Sequence, residues 1–480
     1  MSLLVVDVGT SGVRAAVVRS DASVGVVHRR EVLPTSPAPG FVEFDAGLMA
    51  DAALDVAHRA LSDGGPVEAV GITNQRASTI VWDRATGRPV APGVGWQDLR
   101  TAGMCLTLRD QGLRLAPNAS ATKLAFLLDM ADPNRERDLC FGTVDTWIAW
   151  TLSAGTAHVT DLTNAAVTGL VRPDATGWDD HVLGVLGIPS AVLPTIVDST
   201  GVVAEAVALP GAPPVAGLVG AQQASLVGQG CVHPGLAKIT FGTGGMLDVT
   251  LGPDRPAFAA RGEAGSFPIV TWRQSGVATF GIEAIMLSAG TCVEWLRDDL
   301  GLVASAAESH EVAAGCASTE GVVFVPALFG LGAPMWDYGA RGTLLGVTRG
   351  TSRAHVVRAV LEGVAHRGAD LVEAAETDGR VDIPAVRVDG GMSANPTFVQ
   401  ALADAAQRPV EVSPVLEATT LGAAFLAGLA TGTWGGFDDI AATWRPRRVI
   451  EPGRRTDRDR WREACARASG WVEELSALDF

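Results

Sequence analysis

Two stretches of this chain, more than two hundred residues apart, spell the same turn. "LLVVDVGTSGVRAAVV" (3–18) reads as an apolar strand, a Gly/Ser/Thr tip and a second strand, a β-hairpin with a tight polar end. "LAKITFGTGGMLDVTL" (236–251) repeats the plan, aligning Asp7 with Thr240, Gly9 with Gly242, Thr10 with Thr243 and Gly12 with Gly245. A chain that makes this hairpin twice is expected to fold as two domains on one plan. The second hairpin sets the boundary near residue 228, giving domains 1–228 and 229–480.

The segments around the hairpins alternate between strand and helix, which makes the expected class α/β. "PVEAVGITNQ" (66–75) reads as a strand that ends in polar residues, and "TIVWDRATGRPV" (79–90) as strand–turn–strand. "KLAFLLDMA" (123–131) has helical spacing. "GVVFVPALFGLGAP" is a strand entering a glycine-rich loop, and 352–376 is a long amphipathic helix whose buried polar residues are structural. "AVRVDGGMSANPTFVQALADAA" (385–406) gives strand, double glycine and helix, and 461–478 reads as one closing helix. No low-complexity linker separates the halves, so they are expected to pack across a cleft.

At 480 residues, 47% apolar and 19% charged, the chain can bury two such cores. A formal net charge of −16 argues against nucleic acid or anionic membrane as the main partner. No run approaches the roughly 18 apolar residues of a membrane span. The N-terminus lacks the basic flank of a signal peptide, so the expected location is the cytoplasm. The six cysteines form no C-x-x-C and no zinc spacing, and read as reduced thiols. Lys123 and Lys238 are the only lysines, a bias read as compositional rather than functional.

Glycine-rich tips let backbone approach a ligand, and successive N–H groups form a concave anion site. Thr10 and Ser11 add hydroxyls, and Arg14 offers charge-assisted bonds to phosphate oxygens. Asp7 could hold hydrated Mg²⁺, which takes one or two carboxylates together with phosphate oxygens. The strand–GG–helix at 388–393 lets a flat ring lie on bare backbone. Together these describe ATP with Mg²⁺ between two domains, without the P-loop pattern.

At this point the sequence resembles the FGGY carbohydrate kinases of the actin/Hsp70/hexokinase superfamily. The resemblance rests on "GITNQRASTIVWDRATGRPVAPGVGWQDLRT" (71–101), "GTVDTWIAWTLSAGTAHVTDLTNAA" (142–166) and "GVVFVPALFGLGAPMWDYGARGTLLGVTRGT" (321–351). "GTLLGVTRGTSRAHVVRAVLE" (342–362) fits a family signature throughout, and "RVDGGMSANP" and "EATTLGAAFLAG" complete the adenine end. The resemblance implies two RNase H-like domains flanking an ATP/substrate cleft and phosphorylation of a small polyol or sugar. It implies that Thr10, Ser11, Gly12 and Arg14 form the first phosphate loop and Thr243 the second. Gly290, Gly391 and Asn395 match nucleotide contacts, and Glu294 stands where the family's polyol kinases have glutamine. A homodimer is compatible with the resemblance, which fixes no oligomeric state.

The substrate end departs from that pattern. Arg76, Gln222 and the ring of Trp96 remain, but Ala77 replaces a glutamate, Asn118 a tyrosine, and Met246 an aromatic ring. Ala221 replaces the aspartate that serves as the base, so no catalytic acid is intact at that position. The nearest acids by motif, Asp7, Asp98 and Asp145, already have structural or metal roles in the family. Loose phosphoryl-transfer transition states depend mostly on positioning and charge, so a kinase without its base is expected to be slow rather than dead. Glycerol is expected to be a poor substrate. The alternative is a pseudokinase that binds nucleotide and acts as a sensor or regulatory partner.

Overall fold

The computed structural model describes residues 1–478. Its first half contains β1 (Ser2–Val8), β2 (Gly12–Arg19), β3 (His28–Glu31), α1 (Ala46–Gly64) and β4 (Ala69–Asn74). Helices α2 (Ser120–Ala131) and α3 (Val144–Leu152) follow, then β5 (Thr200–Glu205), β6 (Pro214–Gly220) and α4 (Ala221–Gly228). The second half contains β7 (Ala237–Phe241), β8 (Gly245–Gly252), β9 (Phe267–Gln274), β10 (Val277–Met286) and the long α5 (Arg353–Gly379). It continues with β11 (Val386–Asp389), α6 (Pro396–Ala406), β12 (Val410–Val412) and α7 (Ala418–Thr431). It closes with β13 (Arg448–Ile450), α8 (Arg458–Ala468) and α9 (Glu473–Ser476).

The two main sheets repeat one pattern. The first runs β3-β2-β1-β4-β6-β5 and the second β9-β10-β8-β7-β11-β12-β13. From β3 to β5 the successive pairings are antiparallel, antiparallel, parallel, parallel and antiparallel. From β10 to β13 they are the same five in the same order. The fold is therefore α/β with two related sheets, as the repeated hairpin implied. The tips themselves differ by one residue. Gly9 N–H donates to Gly12 O across a two-residue loop, whereas Phe241 pairs with Gly245 around a three-residue loop.

Central strands read as unbroken apolar runs because helices cover both sheet faces. Leu4, Val6 and Val8 pack with α1 and α3 on one face, and Leu3 and Val5 pack with α7 on the other. In the second half α5 and α6 bury their apolar stripes against β7, β8, β10 and β11. Local signals fix the helix starts: Asp45 caps α1, Ser352 and His355 form a capping box on α5, and Asn395 caps α6 ahead of Pro396. On α5, Arg367 and Asp370 pair with each other in the core, the structural role expected of its polar residues.

Two expectations need correction. The return arm of the 79–90 segment is only a bridge between Trp82 and Pro89, because proline has no N–H to extend a ladder. Its first arm, Ile80–Asp83, pairs instead with Leu139–Gly142. The closing stretch is two helices rather than one, broken where Gly470 takes φ 70°.

Among the described residues no helix is long and apolar enough to cross a membrane. All six cysteines are free thiols. Burial pushes Cys231, Cys292 and Cys465 up to about 12, which keeps them unreactive.

Candidate functional site

In sheets of this kind ligands bind beyond the carboxyl ends of the strands. Here those ends belong to β1, β4 and β6 on one side and β7 and β11 on the other, and contacts between the halves bring them together. Thr10, Ser11 and Gly12 form the first tip, where Thr10 Oγ1 accepts from Trp96 Nε1 at 3.2 Å. Asp7 is 2% exposed, and its Oδ2 accepts from Arg14 Nε at 2.9 Å and Thr419 Oγ1 at 2.7 Å. Arg14 also reaches Glu417 at 2.7 Å, and Arg29 holds the other oxygen of Glu417 at 2.5 Å. Burial raises the Asp7 carboxyl above its ordinary range against the pull of Arg14. Both of these contacts fall on Oδ2, so Asp7 fits the single-carboxylate share of a Mg²⁺ shell completed by phosphate oxygens. The described residues contain no group of three or more acids, histidines or cysteines that could hold a metal alone.

Thr419 and Glu417 revise one reading. The "EATTLGAAFLAG" segment does not lie at the adenine end alone: α7 crosses to the first sheet, and its start ties down Asp7 and Arg14. Small residues allow that crossing. A Cβ at Gly71 would lie 2.6 Å from Ala423 O, and one at Gly217 would lie 2.7 Å from Ala427 N. Helix α7 also meets α4, where a Cβ on Gly228 would sit 1.9 Å from Ala418 O and one on Gly422 would sit 1.8 Å from Ala224 O.

Around the second tip, Thr243 O accepts from Ala289 N–H, and Gly290 N–H donates to Gly242 O at 2.8 Å. The loop at Gly290 therefore sits directly on the tip. Glu294 is exposed, so its charge faces solvent. Gly391 is exposed beyond β11. Asn395 is occupied structurally, accepting from Phe398 N–H as the α6 cap and donating to Ser309 at 2.9 Å.

Of the residues expected at the substrate end, Arg76, Gln222 and Met246 lie at a row of charges. Arg76 donates to Glu283 Oε2 at 2.5 Å and lies against Gly220, where a Cβ would be 2.9 Å from its Cγ and Cδ. Glu283 on β10 is opposite Asp248 on β8, and Asp248 is opposite Lys238 on β7. Lys238 Nζ is 2.6 Å from Asp248, both side chains being 0% exposed, and donates to Gln222 Oε1 at 2.5 Å. Met246 pairs with Ile285 one pleat along the same face. Ala221 begins α4, whose cap Gly220 supplies no side-chain bond. Ala77 is buried at φ 58°, a conformation that costs a non-glycine residue about 1 kcal/mol. Asn118 is exposed and contributes its backbone oxygen to Lys123.

The two lysines have structural roles that the compositional reading did not assign them. Both are fully buried at this end: Lys123 donates to Gly95 O, Trp96 O and Asn118 O, and Lys238 anchors the charged row. A compact ammonium with three donors fits such closed oxygen cages, whereas a planar guanidinium does not. Glu283 and Asp248 were missed as well, although an acid inside "GIEAIM" or "MLDVTL" is a legible oddity in an apolar strand.

The other acids are committed elsewhere. Burial pushes Asp98 up, but Arg100 and the Val42 N–H prevail and hold it below its ordinary value. Asp145 is fully buried, accepts from Thr143, Thr160 and Asp161 N–H, and is raised to about 7 by burial and by the Asp161 charge. The folded chain thus keeps a proton on Asp145 that the unfolded chain releases above 3.8. The contribution of Asp145 to stability is expected to fall as pH rises from 3.8 to about 7, by up to about 4 kcal/mol. Asp145→Asn should flatten that slope in urea unfolding at pH 4–8, since Thr143 can turn its hydroxyl to accept from the new amide.

The sequence matches the model of the "FGGY family of carbohydrate kinases, N-terminal domain" over residues 2–228 and that of the C-terminal domain over 237–431. It is 43% identical to a glycerol kinase of Aromatoleum aromaticum, covering 98% of this chain and 99% of that one. It is 41% identical to a glycerol kinase of Deinococcus radiodurans, over 99% of each. The fold superposes on the Plasmodium falciparum glycerol kinase solved with ADP at a TM-score of 0.90, 26% identity, and 100% and 99% coverage. A Brucella ovis xylulose kinase gives 0.85 at 24% identity over 100% of both chains, a likeness of fold alone.

Proposed function

Because the chain belongs to the FGGY family of carbohydrate kinases, we propose that it transfers the γ-phosphate of ATP to a hydroxyl of a small polyol or sugar, slowly and with little preference for glycerol. The observation that carries this reading is the Asp7–Arg14–Glu417 cluster beside the first glycine tip, in which the second half of the chain reaches across to the first. In this reading the tip residues Thr10, Ser11, Gly12 and Thr243 bind phosphate oxygens through N–H and hydroxyl donors. Arg14, fixed between Asp7 and Glu417, presents positive charge without reorganising. Bound Mg²⁺ would neutralise the charge on the β- and γ-oxygens, with Asp7 as its one protein carboxylate. Gly290, Gly391 and Asn395 lie toward the base and ribose, and Glu294, facing solvent, takes little part.

Arg76, Gln222 and Trp96 would hold the acceptor, with Met246 as the wall. The relatives named glycerol kinase support a polyol-sized acceptor. Ala77 and Ala221 offer no hydrogen bond, and a site stripped of such partners loses selectivity for a hydroxylated ligand. Ala221 also favours a second reading, a pseudokinase that binds nucleotide and signals through domain closure.

The test is ATP- and Mg²⁺-dependent phosphorylation of a panel of polyols and sugars by the chain and by Ala221→Asp. An aspartate is well placed at the first turn of α4, where the helix dipole favours a carboxylate. It is expected to raise turnover of glycerol on the order of 10²-fold. Turnover of any acceptor by the unmodified chain rejects the pseudokinase. Failure of both proteins while ATP still shifts the melting point rejects the kinase.

A further inference from the structure

The geometry points to Glu283 as the group that takes the acceptor hydroxyl's proton in place of the acid missing at Ala221, an assignment that rests on the kinase reading above. A closed circuit of contacts runs through position 221 and its two chain neighbours. From Ala221 the chain passes to Gln222, whose Oε1 is held by Lys238 at 2.5 Å. Lys238 pairs with Asp248 at 2.6 Å, and Asp248 stands opposite Glu283 across β8 and β10. Glu283 binds Arg76 at 2.5 Å, and Arg76 packs on Gly220, which leads back to Ala221. Ala221 brings no polar side-chain group to this circuit, and Glu283 is the carboxylate in it that is bonded to the expected acceptor-binding arginine.

Three further observations favour Glu283 over its neighbours. Arg76 engages Oε2 alone. Glu283 is 6% exposed, whereas Asp248 is 0% exposed and neutralised by Lys238. It lies one pleat from the Met246 wall on the same face. The groups facing it are Arg76, Asp248 and Lys238, and burial outweighs Arg76 to hold its carboxyl above the ordinary range. A raised carboxyl accepts a proton better near neutrality. Asp98 and Asp145 are committed to Arg100 and to three local donors, and Asp7 is tied to Arg14 and Thr419.

The step balances without a further reactant. As the acceptor oxygen forms its bond to the γ-phosphorus, its O–H bond breaks and the proton passes to Glu283. The bond from the γ-phosphorus to the bridging oxygen breaks, and ADP leaves with that electron pair. Glu283 then releases its proton to water.

The experiment is Glu283→Gln made in the chain and in Ala221→Asp, with kcat/KM for glycerol at high concentration and saturating ATP and Mg²⁺, folding being checked by thermal unfolding. In the chain the loss is expected to be about 10²–10⁴-fold. In the Ala221→Asp background it should be under about tenfold, because Asp at 221 then takes the proton. Equal losses in both backgrounds would show that Glu283 only positions Arg76, and would overturn the assignment. So would no loss in the chain, or turnover that appears only once Ala221→Asp is made, and all three leave the kinase reading standing. No turnover of any acceptor in the polyol and sugar panel by either parent removes the kinase reading itself. If the glutamine variant does not fold, Glu283→Asp in the same two backgrounds gives the same comparison.

Discussion

A Lys238→Met variant is expected to lose about 3–5 kcal/mol of stability, the cost of leaving one member of a buried ion pair without its partner. Lys238 and Asp248 are both wholly shielded from water, and no donor other than the Lys238 ammonium reaches the Asp248 carboxylate. Removing the ammonium leaves that carboxylate beside Glu283, so two acids face one another across β8 and β10 with only Arg76 to offset them. Urea unfolding at neutral pH measures the loss. A double variant, Lys238→Met with Asp248→Leu, should recover most of it, because well-packed apolar residues replace buried pairs at little net cost. Its activity should not recover, since Gln222 Oε1 has still lost the donor that fixes it. If the double variant is as unstable as the single one, the row of charges holds the sheet together in some way other than pairing.

Gly422→Ala is the second large effect. The added methyl would come within 1.8 Å of Ala224 O and 2.9 Å of Gly228 N, both backbone atoms of α4, so no side chain can move aside. Overpacking of this kind costs about 1–3 kcal/mol and is relieved only by sliding one helix along the other. Helix α4 begins at Ala221 and Gln222, and α7 begins beside Glu417 and Thr419, so the slide misaligns both ends of the cleft. A displacement of about 1 Å between reacting groups costs on the order of 10²-fold in rate. The variant should therefore fold with a lowered unfolding midpoint while kcat/KM falls about a hundredfold. A folded variant at full activity would mean that the crossing does not set the cleft geometry.

The hairpins were legible in the sequence because a glycine tip between apolar runs is a local signal. The same holds for α5 and α6, whose caps and periodicity lie within a few residues of one another. Helix α7 was misplaced because its signal is not local. The small residues Gly422, Ala423 and Ala427 make sense only once Gly71, Gly217 and Gly228 are brought opposite them. The charged row was hidden for the same reason, since Lys238, Asp248, Glu283 and Arg76 share a face only through strand register and the packing of the two halves. The reading of Ala221 as a missing acid comes from the resemblance alone. What lies around that position was not legible, because strand register and the packing of the two halves bring those residues together.

The glycine-to-glycine crossing of α4 and α7 has a thermodynamic consequence. In the proposed function one helix carries the acceptor end of the cleft; the other carries the clasp over Asp7 and Arg14, and the two touch backbone to backbone. A ligand that prefers one seating of that joint stabilises the same seating for its counterpart. Whatever factor nucleotide adds to acceptor affinity, acceptor must return to nucleotide, because the coupling free energy belongs to the joint and not to either ligand.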